Sequence, residues 1–152
     1  LPNGVDLEIF STPKKNVVGF IGARSERKGF PHLEQACNEL GLTLKCLLWK
    51  ENLIPHLEMQ EWYRSIDVLV HPSFTEGCSN VVLEALAMNV PVITRKTGIW
   101  EKLDGYITTI DDDYNSLVVS LKKYTGRALI NNDYNWVHIC RRYKEIYEGL
   151  HR

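Results

Sequence analysis

Val68-Leu69-Val70-His71 is a short apolar run stopped by Pro72, and it reads as a strand buried on both faces. A polar loop, Ser73 to Ser79, follows it. Asn80 to Met88 then reads as a helix that is apolar on every side except at Glu84. Val90-Pro91-Val92-Ile93-Thr94 is the next strand. Strand, loop, helix and strand in 27 residues make one βαβ unit, which implies a parallel sheet.

The same pattern extends outward. Upstream, Val17 to Gly22 is a buried strand, and a polar loop runs from Ala23 to Gly29. Pro31 opens a helix that Gly41 stops near Leu40. Leu42 to Trp49 reads as a second strand. Asn52 to Leu57 is a short third strand, which Pro55 confines to an edge. Glu58 to Ile66 has helical spacing, with Met59, Trp62, Tyr63 and Ile66 on one face. Downstream, Tyr106 to Ile110 is a strand and Tyr114 to Tyr124 a helix. A final helix from about Tyr134 to Leu150 carries an apolar stripe through Trp136, Ile139, Cys140, Tyr143 and Tyr147. The expectation is an α/β fold in three layers: a Rossmann-like, doubly wound, mostly parallel sheet of about six strands. No internal linker is visible, so residues 1–152 are read as a single domain.

Composition narrows the function classes. The 152 residues carry 18 Lys and Arg against 19 Asp and Glu, so the overall field does not favour nucleic acid. No apolar run approaches the ~20 residues of a membrane-spanning helix. Cys37, Cys46, Cys78 and Cys140 have unequal spacings without a C-x-x-C. They read as reduced thiols, mostly core filler, in a cytoplasmic protein.

Ligands of doubly wound sheets bind beyond the carboxyl ends of the strands, so the two polar loops are the places to look. The first, Gly22-Ala23-Arg24-Ser25-Glu26-Arg27-Lys28-Gly29, lacks the spacing of a P-loop or a dinucleotide fingerprint. It places three cations just after a strand. They either grip phosphate or form a solvated charged turn, and composition alone favours the turn. The second loop leads into a helix whose amino end offers unpaired amides to a phosphate, unless Ser79 or Asn80 caps it. Glu84, roughly one turn in and about 6 Å along the axis, is either paired internally with Arg95 or Lys96 or reserved for a hydroxylated ligand such as a ribose.

Several pieces in register resemble a known family. Glu76-Gly77-Cys78-Ser79-Asn80-Val81-Val82-Leu83-Glu84 is E-x7-E, followed by Asn89-Val90-Pro91-Val92-Ile93. Pro2-Asn3-Gly4-Val5-Asp6, the Gly22 to Gly29 loop, Tyr63 through Asp67 to Pro72-Ser73, and Gly98 to Glu101 also match in order and spacing. This resembles the family-4 retaining glycosyltransferases (glycosyl transferases group 1). The resemblance implies the C-terminal, donor-binding half of a GT-B enzyme, with the N-terminal acceptor domain absent from this chain. The start at Leu1 rather than Met fits an excised half.

By position, the resemblance implies that Arg24 and Lys28 neutralise a donor diphosphate and that Glu76 bonds the transferred hexose. Gly22, Gly77, Cys78, Ser79, Asn80 and Val81 would supply close backbone approach and amides, and Glu84 would hold the ribose. It also implies transfer of a hexosyl group from a nucleoside-diphosphate sugar to a hydroxyl of a glycan, lipid or small molecule. No metal or other cofactor and no nucleic acid are expected. The intact enzyme would be free in the cytoplasm or peripheral at the inner face of the membrane. A stand-alone nucleotide-sugar binding module and a GT-B sugar epimerase or phosphorylase are the alternatives.

Cys78 stands where the family often has an apolar residue, and residues 53–57 match least well. Asp111-Asp112-Asp113 precedes a helix and reads as a cap rather than a metal site. Among the five histidines, His71 is the least easily dismissed, since it ends a strand beside the second loop.

Overall fold

The computed structural model describes residues 16–124, 140–141, 144–146 and 148–149. Residues 15–126 form one compact unit, and 1–14 with 127–152 form a second. In the second unit the described positions from 140 to 149 are helical, with Lys144 Nζ 3.7 Å from Glu148 Oε1. The turn at 1–6, with its Pro2 to Asp6 match, and most of the aromatic stripe of the last helix lie outside the described residues.

The first unit alternates strand and helix. β1 (Val17–Gly22), α1 (Phe30–Leu40), β2 (Thr43–Leu48), α2 (Met59–Arg64) and β3 (Val68–His71) come first. They are followed by α3 (Asn80–Ala87), β4 (Val92–Arg95), β5 (Thr108–Ile110) and α4 (Tyr114–Tyr124). All strand pairs are parallel, in the order β2-β1-β3-β4-β5. Side-chain alternation along the strands builds two cores. Val18, Phe20, Val68 and Val70 face α1 and α4, meeting Phe30, Leu33, Leu117 and Leu121. Ile21 and Leu69 face α2 and α3, meeting Trp62, Tyr63, Val82 and Ala85. These are the three layers of a Rossmann-like, doubly wound fold.

Local chemistry explains the boundaries. Gly41 ends α1 in the left-handed region (φ 65°). Asp113 Oδ1 accepts from Ser116 N at 2.8 Å and caps α4. Asp67 accepts from Val17 N at 2.7 Å and donates its own N–H to Val17 O at 2.8 Å, pinning the start of β3 to that of β1.

The sheet has five strands among the described residues, not six. The strand expected over 52–57 does not form. Asn52 folds back instead: its Oδ1 accepts from Leu48 N at 2.6 Å and its Nδ2 donates to Cys46 O at 3.0 Å. The chain turns there, with Lys50 at φ 66°, and Pro55 leads into a single 3₁₀ turn, His56–Glu58. The side chain thus takes the ladder bonds that another strand would need. Cys37 is buried and Cys46 half-buried; burial pushes their thiols up to about 12 and about 11, so they pack as apolar groups.

Candidate functional site

β1 pairs with β2 on one side and with β3 on the other, so the connections leaving β1 and β3 diverge at their carboxyl ends. This is the switch point, where a crevice opens in folds of this order. Both polar loops arise there and are stitched together. Phe74 N donates to Arg27 O at 3.0 Å, and Ser73 Oγ is 3.4 Å from the same carbonyl. Gly29 makes the seam possible: it sits at φ 68°, and a Cβ there would lie 2.4 Å from Pro72 O.

The first loop contains an unanticipated 3₁₀ turn, Glu26–Lys28, capped by Ser25. This turn carries Lys28 across the seam, where its ammonium meets Glu76 Oε1. His71 Nε2 approaches the same oxygen at 3.2 Å. His71 is 4% exposed, and its Nε2 finds no well-formed hydrogen bond. Two ionisable side chains, from the first loop and from the end of β3, therefore converge on one carboxylate oxygen of the second loop. Burial holds the His71 imidazole below its ordinary value, and the Lys28 charge acts in the same direction against the pull of Glu76. Burial opposes ionisation of Glu76, but bonds from Lys28 and Ser73 and the neighbouring positive charges outweigh it, leaving that carboxyl low.

Arg24 is not part of this cluster. Its Nη1 is 3.7 Å from Glu34 Oε1, its Nε 3.9 Å from Glu51 Oε2, and its guanidinium lies 5.0 Å from the Phe30 ring centre. It thus engages α1 and the turn after β2. Gly22 closes β1, its carbonyl accepting from Trp49 N at 3.1 Å.

Gly77 and Cys78 are exposed, and Ser79 stands at the N-cap of α3 without a side-chain capping bond. Asn80 and Val81 form the first turn. The amino end of α3 therefore keeps its positive partial charge uncapped by a side chain. Glu84 does not pair with Arg95 or Lys96; it accepts from Tyr63 Oη at 2.9 Å. Arg95 is instead a buried clamp. Its Nε donates to Pro72 O at 2.9 Å, and its Nη1 donates to Asp111 O at 2.7 Å and Asp112 Oδ1 at 2.8 Å. Its guanidinium lies 3.9 Å from the centre of the Phe74 ring. The aspartate run is thereby accounted for by helix capping and by this arginine.

Sequence reasoning did not anticipate the back of the site. A cavity of about 20 Å³ lies behind the second loop, with His71, Glu76, Thr94, Thr97, Ile99 and Trp100 in its wall. Gly98, at φ 63°, sits directly under the loop: a Cβ there would lie 1.8 Å from Gly77 O. The G-x-x-E spacing was the available signal for this contact.

Comparison with known proteins adds a family to this geometry. CapJ of Staphylococcus aureus is 23% identical over 103 residues, 66% of this chain and 25% of CapJ. The sucrose-phosphate synthase of Thermosynechococcus elongatus superposes with a TM-score of 0.61 at 19% identity, covering 98% of this chain and 51% of its own. HepE of Anabaena, solved in complex with UDP and glucose, superposes with a TM-score of 0.55 at 17% identity, covering 96% of this chain and 55% of its own. The chain thus spans a quarter of this curated relative and about half of each solved chain. The family model described as glycosyl transferases group 1 matches residues 20–124, and this chain belongs to that family.

Proposed function

We propose that this chain is the donor-binding domain of a retaining glycosyltransferase, which moves a hexosyl group from a nucleoside-diphosphate sugar to a hydroxyl. One observation carries the reading. Lys28 and Glu76 meet across the seam of the two switch-point loops, beside a helix end that no side chain caps. A cation, a carboxylate and convergent amides are what a diphosphate joined to a polyol requires. The UDP and glucose bound by HepE support the same ligand class.

In this reading the diphosphate lies against the amides of Cys78 to Val81 and draws Lys28 from Glu76. Arg24 swings in from Glu34 and Glu51, and its two long, exposed ion pairs hold it only weakly. Glu76, released by Lys28, accepts from hydroxyls of the hexose, and Glu84 accepts from those of the ribose. As the glycosidic bond breaks, negative charge grows on the leaving phosphate, where fixed cations and amides lower the barrier by about 3 kcal/mol or more. The acceptor hydroxyl attacks from the face the diphosphate leaves, and the leaving phosphate takes its proton. Cations and the helix end meet the diphosphate charge, so the reading calls for no cofactor. A second, N-terminal domain of the same enzyme would supply the acceptor site and the opposite wall of the cleft. Among the described residues no helix is long and apolar enough to cross a membrane; peripheral attachment of the intact enzyme at the inner membrane face belongs to the proposal.

The test is a saturation-transfer screen of UDP-, GDP- and ADP-hexoses against the protein, followed by product analysis of the intact two-domain enzyme with the best donor. Saturation on the hexose protons, lost in Glu76→Ala, and a product that keeps the donor's anomeric configuration are expected. A folded protein that binds none of these donors refutes the proposal. A rearranged free sugar in place of a glycoside would indicate the epimerase.

A further inference from the structure

Tyr63 lies within α2 and is 1% exposed. A buried tyrosine differs from phenylalanine by one polar atom, and that atom has to find partners. Here the phenol donates to Glu84 Oε2 at 2.9 Å and lies 3.3 Å from Val81 O. Trp62 meets the ring edge-on with centroids 5.4 Å apart. α2 itself is seated hard on β1, because Gly19 leaves room: a Cβ there would lie 2.4 Å from Ile66 Cδ1 and 2.9 Å from Trp62 Cη2. The sheet therefore places α2, α2 places the phenol, and the phenol places one oxygen of Glu84.

The other end of this chain of contacts is half-buried. Glu84 sits about one turn into α3, the helix whose amino end borders the switch-point loops. An unheld glutamate spreads over several rotamers. Anchored by Oε2, it offers its second oxygen in one direction and arrives already ordered.

We propose that Tyr63 is a positioning residue for the nucleoside end of the donor site, holding Glu84 so that its carboxylate accepts hydrogen bonds from the vicinal hydroxyls of a ribose. The inference rests on the reading that Glu84 faces the ribose. Burial and the Glu84 carboxylate both push the phenol's ionisation upward, so Tyr63 remains a donor at neutral pH. Tyr63 touches no reacting atom. Its effect is confined to ligands that carry the diol.

The test is a titration calorimetry cycle on the protein, using whichever of UDP, GDP and ADP binds tightest and its 2′,3′-dideoxy form. The wild type is expected to prefer the ribose form by about tenfold or more. Tyr63→Phe removes one atom, and its urea midpoint is checked alongside. It is expected to cut that preference to about threefold or less while leaving the dideoxy affinity unchanged. On a Glu84→Ala background, Tyr63→Phe is expected to have no further effect. Equal weakening of both ligands, an unchanged preference, or a cost that persists without Glu84 overturns the role of Tyr63. A wild type that binds both forms alike removes the ribose reading of Glu84 itself, and the role of Tyr63 with it.

Discussion

Gly98→Ala tests how the second loop is held. Gly98 has φ 63°, a region that costs a residue with a Cβ roughly 1–2 kcal/mol. The added methyl would lie 1.8 Å from Gly77 O, 2.9 Å from Gly77 C and 3.2 Å from Glu76 O. Backbone rather than a flexible side chain is in the way, so the Gly77–Cys78 peptide has to retreat by more than ~1 Å. Strain and overpacking together are expected to cost about 2–4 kcal/mol of stability. The displaced atoms are main chain of Gly77 and of Glu76, the residue whose carboxylate Lys28 and His71 share. Catalysis tolerates such misplacement poorly, and a loss on the order of 100-fold in kcat/KM is expected from a shift of this size. Urea denaturation of the protein reads the first quantity, and turnover of the donor identified by screening, with the substitution placed in the intact two-domain enzyme, reads the second. A variant with the wild-type midpoint and wild-type turnover would show that this glycine is not what supports the loop.

Three other perturbations separate the remaining parts of the account. His71 has its pKa lowered from 6.5, chiefly by burial, so the unfolded chain takes up a proton before the folded one does. Stability is therefore expected to be full above about pH 6.5 and to decline as pH falls below it, and His71→Asn should flatten this part of the urea midpoint's pH profile if the lowered pKa governs it. Gly19→Ala would drive a methyl into Ile66 and Trp62, with an expected cost of about 1–3 kcal/mol in urea unfolding; an unchanged midpoint would refute the tight seating of α2. Arg95→Met removes a buried cation that satisfies Pro72 O and Asp111 O. An expected loss of about 2–4 kcal/mol follows from the carbonyls left behind, and a neutral result in urea would show that water replaces the clamp.

Much of this architecture could be read from the order of residues because parallel strands buried on both faces advertise themselves as short apolar runs. Val17–Gly22 and Val68–His71 were legible for that reason, and so was the Asp113 cap of α4. The reading failed at 52–57, where apolar residues suggested an edge strand. Asn52 turns the chain there through two side-chain bonds that periodicity does not register. Within the site, loop position pointed to both loops as the place to look, and the structure joins them there through Lys28 and Glu76, a pair the sequence did not announce. It could not foresee that Arg24 rests on Glu34 and Glu51, because a long exposed side chain is directed by whichever carboxylates surround it. The buried partner of Glu84 was sought among cations and is a phenol. Glycines 19, 29 and 98 mark close approaches whose partners lie elsewhere in the sequence, so their meaning emerges only when the chain is folded.

The central claim is that a diphosphate docks where the two loops meet and draws Lys28 away from Glu76. Calorimetry of the protein and its Lys28→Met variant with a nucleoside diphosphate and the matching monophosphate addresses it directly. The account expects the wild type to favour the diphosphate by about tenfold or more, and the variant to bind both with nearly the same affinity. A Lys28→Met protein that keeps the full wild-type preference would contradict the account.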